Sequence, residues 1–201
     1  IGSLPPRPLP GVEDAAIASG RYITDPWPFL ASAEADDRPL RVLVVGLGLT
    51  AVDVLLELSS RWPNARFDAL SRHGKLPEPH LAAASAPNDD GGELIESMRD
   101  DPNLRVWLRR LRDAAAQAED WRTVVDGMRP HTQSLWRDLP AKERARFLRH
   151  ARWAWERARH RMPPQVAARV AALEAEGRLH RGRGRMRSVQ LTQQGELKVA
   201  S

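Results

Sequence analysis

Six residues constrain the fold of this chain more than any others. Gly46-Leu47-Gly48-Leu49-Thr50-Ala51 stand between a short β-branched run, Arg41-Val42-Leu43-Val44-Val45, and an apolar-patterned stretch. The run reads as a buried parallel strand, because it is short, apolar and closed by glycine. In the stretch after the glycines, Val52, Leu55, Leu56 and Leu58 recur at helical spacing, and Trp62-Pro63-Asn64 ends the pattern. Residues 65–72, ARFDALSR, then read as a second strand, closed by His73-Gly74. Strand, glycine turn, helix and strand in this order make a βαβ unit.

The six residues match G-x-G-x-x-G/A, with Ala51 in the third position. Each small residue has a physical task. Gly46 permits the tight turn off the strand, Gly48 lets the backbone approach a pyrophosphate, and Ala51 allows close packing of helix on strand. The amide groups that open the following helix, at Leu49 and Thr50, have no partner within it, and the helix dipole favours negative charge there. The pattern alone is weak evidence, but here it has the required strand before it and helix and strand after it. The competing reading is a unit of the same shape that keeps its glycine turn for packing alone.

The tip of the second strand bears on which dinucleotide would fit. An NAD site presents an acid there, to bond the ribose hydroxyls. The position 25 residues past Gly46 is Ser71, followed by Arg72, with His73 and Lys75 close by. Asp68 lies three positions back, inside the strand. A carboxylate would repel a 2′-phosphate, whereas Ser71 can hydrogen-bond it and Arg72 can pair with it. The pattern favours NADP over NAD, the other reading of Arg72 being an exposed loop arginine.

Around this unit the chain divides by composition. Residues 1–40 are proline-rich and read as an irregular opening segment. Residues 41–92 hold the βαβ unit and a long loop, residues 93–177 a helical insertion, and residues 178–201 short strands in which Gln193-Gln194-Gly195-Glu196 form a hairpin turn. Helices are expected near 93–100, 103–118, 120–129, 132–138, 141–159 and 164–176, with Pro130, Pro140 and Pro163-Pro164 among the breaks. The expected fold is α/β: a Rossmann-like parallel sheet with a large helical insertion and a small C-terminal β-hairpin.

Charge is distributed unevenly along the 201 residues. Residues 1–104 carry 9 Lys and Arg against 16 Asp and Glu; residues 105–187 carry 21 against 9. The basic half has two readings: a set of solvated arginine-rich helices, or a nucleic-acid-binding or regulatory module on a non-catalytic Rossmann scaffold. A scaffold serving assembly alone is a third possibility. The chain has no cysteine, which excludes disulfides and cysteine-bound metals and is compatible with the expected cytoplasmic location. No apolar run is long enough to span a bilayer, and the opening residues do not resemble a signal peptide. No membrane partner is expected.

Several segments together resemble a known group. VLVVGLGLTAVDVLLEL, ALSRHGKLPEPH, RPHTQSLWRDL and RFLRHARWAWERARHRMPPQVAARV are similar to segments of bacterial FAD/NAD(P)-binding proteins of the flavin monooxygenase and pyridine-nucleotide-disulfide oxidoreductase superfamily. The resemblance covers roughly residues 3–190. Family members hold FAD in a domain split in sequence, with a pyridine-nucleotide domain inserted in it. The resemblance therefore implies that this chain is the NADP(H)-binding part, with FAD and the remainder of the split domain belonging to a longer parent. The glycine fingerprint that would hold the FAD pyrophosphate is not in this sequence. By position the resemblance assigns Gly46, Gly48, Leu49 and Thr50 to the dinucleotide pyrophosphate, and Ser71 and Arg72 to the adenosine ribose or its phosphate. Asp53 matches an acid that follows the same turn in the family; it either binds backbone near the turn or is a partly buried helix acid.

Other polar residues read more plainly. His80 follows Leu76-Pro77-Glu78-Pro79 in a loop that could border the nicotinamide end, or is a surface histidine. His131 and Thr132 begin a helix, with Thr132 placed to cap it. His150, His160 and Arg161 fall along a long basic helix, with the histidines too far apart to share a metal, and no metal site is expected. No residue is singled out as catalytic, and nothing has the context of a hydrolase triad.

Overall fold

The computed structural model describes residues 5–81 and 92–201. The first four residues and the loop expected after Leu81 lie outside the described residues. The chain forms two compact units: unit 1, Ile1–Leu76 with Gln165–Ser201, and unit 2, Pro77–Pro164.

Unit 1 is built on the glycine turn. Strand β1 (Arg41–Val45), helix α3 (Leu49–Arg61) and strand β2 (Arg66–Ser71) follow in sequence, and β2 lies parallel to β1 with Val45 opposite Leu70. A third strand, β3 (Leu179–Arg183), comes from the far end of the chain and pairs parallel to β2, with Phe67 opposite Leu179 and Ser71 opposite Arg183. The sheet order is β1-β2-β3. Strand residues alternate between faces. One face carries Phe67, Ala69 and Leu179, all buried, in the same unit as buried Val52, Leu55 and Leu58 of α3 and Val170 and Leu173 of α10 (Pro164–Ala175). Each such side chain contributes about 1.5–3 kcal/mol when fully buried.

The other face is open, which corrects the expectation of a buried β1. Leu43 and Val45 are 38% and 42% exposed. Beside them stand an exposed Arg41–Asp68 ion pair at 3.1 Å and an exposed His180. Both faces of a parallel sheet are normally covered. Here the sequence barely distinguishes the two faces of β1, because Val42 and Val44 stand on one and Leu43 and Val45 on the other.

Arg178 locks β3 to the crossover. Its Nε donates to the carbonyl of Ala65 at 3.3 Å, and its Nη2 donates to those of Ser59 and Trp62 at 3.1 and 3.0 Å. The Ser59 and Trp62 carbonyls stand at the end of α3, where a cation is favoured, and Ala65 directly precedes β2.

The opening segment is less irregular than its prolines imply. It holds two short helices, α1 (Asp14–Ala18) and α2 (Pro26–Ser32). Asp25 caps α2 by accepting from the Trp27 amide at 3.1 Å, and Pro26 takes the first helical position, where its missing N–H costs nothing. Just before α1 the segment pairs with the C-terminal hairpin, formed by β4 (Ser188–Leu191) and β5 (Leu197–Ala200). Gly11 makes that approach possible. Its φ is +86°, and a Cβ there would lie 2.0 Å from the carbonyl oxygen of Arg187.

Unit 2 is helical: α4 (Gly92–Asp100), α5 (Leu104–Gln117), α6 (Trp121–Gly127), a 3-10 turn (Arg129–His131), α7 (Thr132–Asp138), α8 (Ala141–His150) and α9 (Arg152–Arg159). Ile95, Met98, Trp107, Met128, Leu135 and Leu139 form its core. The single helix expected over 141–159 is two helices. The break falls at Ala151, whose φ of −112° leaves helical geometry without proline or glycine. Its cause is tertiary: α8 packs on α5, α9 packs on α6, and Ala151 is buried between them. Arg161 is likewise not on the helix. It lies beyond the end of α9, in a segment where Met162 bridges Pro79. Among the described residues no helix is long and apolar enough to cross a membrane.

Candidate dinucleotide cradle

Because β1 and β2 run parallel in register, the glycine turn and the tip of β2 emerge at the same sheet edge. The Gly46 amide donates to the Leu70 carbonyl at 2.9 Å, fixing the two together. Gly46 has φ +112°, a conformation that side chains rarely adopt. Gly48 is the N-cap of α3, and its carbonyl accepts from the Val52 amide at 3.2 Å. Among the described residues no side chain caps this helix. The amides of its first turn therefore keep their donors directed out of the helix end.

The space in front is open: a Cβ built on Gly46 or on Gly48 meets no atom within 4 Å. Leu47 and Ala51 are buried, and Leu49 is 37% exposed. Asp53 is exposed on α3 and makes no hydrogen bond to the turn, so neither reading of it fits.

At the tip of β2, the Ser71 Oγ accepts from the Gly74 amide at 3.0 Å, holding the bend that contains Arg72. Arg72 is exposed, and no ion pair joins it to a carboxylate among the described residues. Asp68, the nearest strand acid, is engaged by Arg41 instead.

Sequence reasoning missed a second cation at this edge. Arg183 ends β3 directly opposite Ser71, and the Gly184 amide donates to the Ser71 carbonyl at 2.9 Å. Gly184 eases this packing, since a Cβ there would lie 3.2 Å from Leu70 Cδ1, whereas one on Gly182 would make ordinary contact at 3.4 Å. The Gly-Arg-Gly alternation was the available signal, but the partner strand lies more than a hundred residues away in sequence. A hollow of about 290 Å³, lined by Arg41, Arg66, Asp68 and His180, lies at the opposite ends of the strands and has no part in the cradle.

His80 is held by backbone, its amide donating to the Met162 carbonyl at 2.8 Å within unit 2. The Thr132 hydroxyl does not cap α7. It donates back to the Arg129 carbonyl at 2.8 Å and to the Met128 carbonyl at 3.1 Å.

No protein-family model and no curated protein matches the chain. Among solved structures, the chain is similar to the reduced form of ornithine hydroxylase from Pseudomonas aeruginosa, with 14% identity and a TM-score of 0.39. The match covers 82% of this chain and 34% of that one, so this chain spans about a third of its length.

Proposed function

We propose that unit 1 binds NADP(H), as the pyridine-nucleotide part of an FAD-dependent oxidoreductase-like protein. One observation carries the reading: an uncapped helix start behind an open glycine turn shares its sheet edge with Ser71, Arg72 and Arg183. The residues fit the group. Gly46 and Gly48 leave the room that a diphosphate needs, and the amides of Leu49, Thr50 and Ala51 supply donors in a positive dipole field. Ser71 and Arg72 stand where the adenosine ribose and its 2′-phosphate would lie. When bound, the nicotinamide would supply hydride to a flavin held by segments outside these 201 residues. The protein's own task is to hold and orient the dinucleotide.

Fluorescence titration with NADPH and NADH tests this. Gly48→Val should abolish binding of both nucleotides. Arg72→Ala should weaken NADPH far more than NADH; equal loss of both would remove the NADP assignment.

A second reading concerns unit 2. Trp136 and Trp153 are each 37% exposed, and Leu148 is 52% exposed, on or beside arginine-rich α8 and α9. Such surfaces bind single-stranded nucleic acid by stacking and charge. Oligonucleotide affinity that falls steeply with salt, and falls again in Trp136→Ala, would favour it.

A further inference from the structure

Unit 2 contains an arginine whose charge is only partly met. The Arg161 side chain is 3% exposed. Its Nη2 donates to both carboxylate oxygens of Asp126, at 2.6 Å each. Its Nε and Nη1 are buried and have no hydrogen-bond partner. A guanidinium carries five N–H donors, so three of them are left buried and unmatched. Such groups are rare in folded proteins, and leaving a charged donor unsatisfied is costly.

The surroundings increase the imbalance. Asp120 is already engaged: it accepts from the Arg122 amide at 2.8 Å and pairs with the Arg122 guanidinium at 3.2 Å. Burial pushes the Asp120 carboxyl up, but these bonds outweigh it and hold the group below the usual carboxylate range. Burial, followed by the nearness of Arg129, holds the Arg159 guanidinium below its ordinary value; Asp126 opposes this and Arg161 adds to it. Arg129, Asp126 and Arg161 thus lie within electrostatic reach of Arg159, and Asp120 lies within reach of Arg161, whose direct partner is Asp126. The Trp121 ring packs beside the group, with the Arg122 and Arg161 guanidiniums 4.7 and 6.0 Å from its centroid. Asp126, 39% exposed, and the exposed Arg129 are parts of the cluster that reach solvent.

We propose that this cluster is a binding site for a small oxyanion, a carboxylate or phosphate group, held by the unmatched donors of Arg161 with Arg159 and Arg129 at its rim. The anion reaches Arg161 past Asp126, the internal anion that holds the guanidinium when the site is empty. Charge-assisted bonds to planar guanidinium edges suit either group. The site is independent of the dinucleotide reading.

The test uses the full chain carrying Gly48→Val, so that phosphate has no glycine cradle to enter. Inorganic phosphate and malonate are titrated separately by calorimetry and thermal shift, against chloride at equal ionic strength. One saturable site is expected for at least one of them. Tighter phosphate binding identifies a phosphoryl ligand, and tighter malonate binding a carboxylate. Arg161→Gln and Arg159→Gln should each weaken binding about tenfold or more, with helical content checked by circular dichroism. Should Arg161→Gln fail to fold, Arg159→Gln carries the comparison. Asp126→Asn should tighten binding, an outcome that a purely structural Arg161–Asp126 pair does not give. No saturable binding of either anion, or binding unchanged in Arg159→Gln, overturns the proposal.

Discussion

Helices α5 and α6 of unit 2 and helix α3 of unit 1 begin in opposite ways. In unit 2, α5 and α6 are closed by side chains. Asn103 accepts from the Arg105 amide at 3.0 Å, and Asp120 accepts from the Arg122 amide at 2.8 Å. Buried Glu143 reaches across from α8 to take the Leu104 amide at 3.1 Å. In unit 1, α3 begins on a bare glycine, and no side chain among the described residues caps its first amides. A capped start is stabilised structure. An uncapped start at an open turn gives up that stabilisation and keeps its donors available. Helices α7, α8 and α9 also lack a side-chain cap, so the candidate site is marked by the absent cap of α3 together with the open glycine turn in front of it.

Four changes would break or sharpen this contrast. Trp107→Ala should have the largest effect. It opens the unit 2 core and removes the indole bonds to the Met98 and Asp101 carbonyls, costing about 3–5 kcal/mol. Chemical denaturation followed by helical circular dichroism would measure it, and a loss under 1 kcal/mol would contradict the assigned core. Glu143→Ala comes next, at about 1–3 kcal/mol, because it leaves the Leu104 amide buried without an acceptor; Glu143→Gln should recover part of that loss. Asp120→Ala should cost about 1 kcal/mol. The sign of its pH dependence follows from its lowered pKa. The stabilisation is full above the unfolded carboxylate value of about 3.9 and is lost as pH falls through the lower folded value. The wild-type advantage over the variant should therefore vanish in an acid titration below pH ~4.

Gly48→Asp should have the smallest effect on stability and is the sharpest test of the contrast. It supplies the cap that α3 lacks, adding a few tenths of a kcal/mol, and places a carboxylate where the diphosphate would sit. Stability should rise slightly while NADPH binding is lost. A variant that still binds NADPH would show that the α3 amides do not hold the phosphates.

The local parts of the fold were legible in the sequence, and the distant pairings were not. β1, the turn, α3 and β2 could be read because glycine, branched residues and helical spacing all act over short range. The pairing of β3 beside β2 depends on residues Phe67 and Leu179, which share no local signal. The break at Ala151 arises from two different packing partners, and no residue type there announces it. Of the candidate site, Gly46, Gly48, Ser71 and Arg72 were read from order along the chain, whereas Arg183 needed the strand register. Arg161 read as one more arginine on a basic helix, since burial of a guanidinium is decided by Trp121 and Asp126, far away in sequence.

The lacing of residues 11–13 to the C-terminal hairpin, through Gly11, bears on the order of assembly. Unit 1 needs β3 and the hairpin, which follow unit 2 in the chain, before its sheet and its opening segment can close. Unit 2 is built from one continuous stretch, Pro77–Pro164. The insert can therefore close before its host, and truncating the final strands should leave a chain with a folded helical unit and an unfinished nucleotide-binding half.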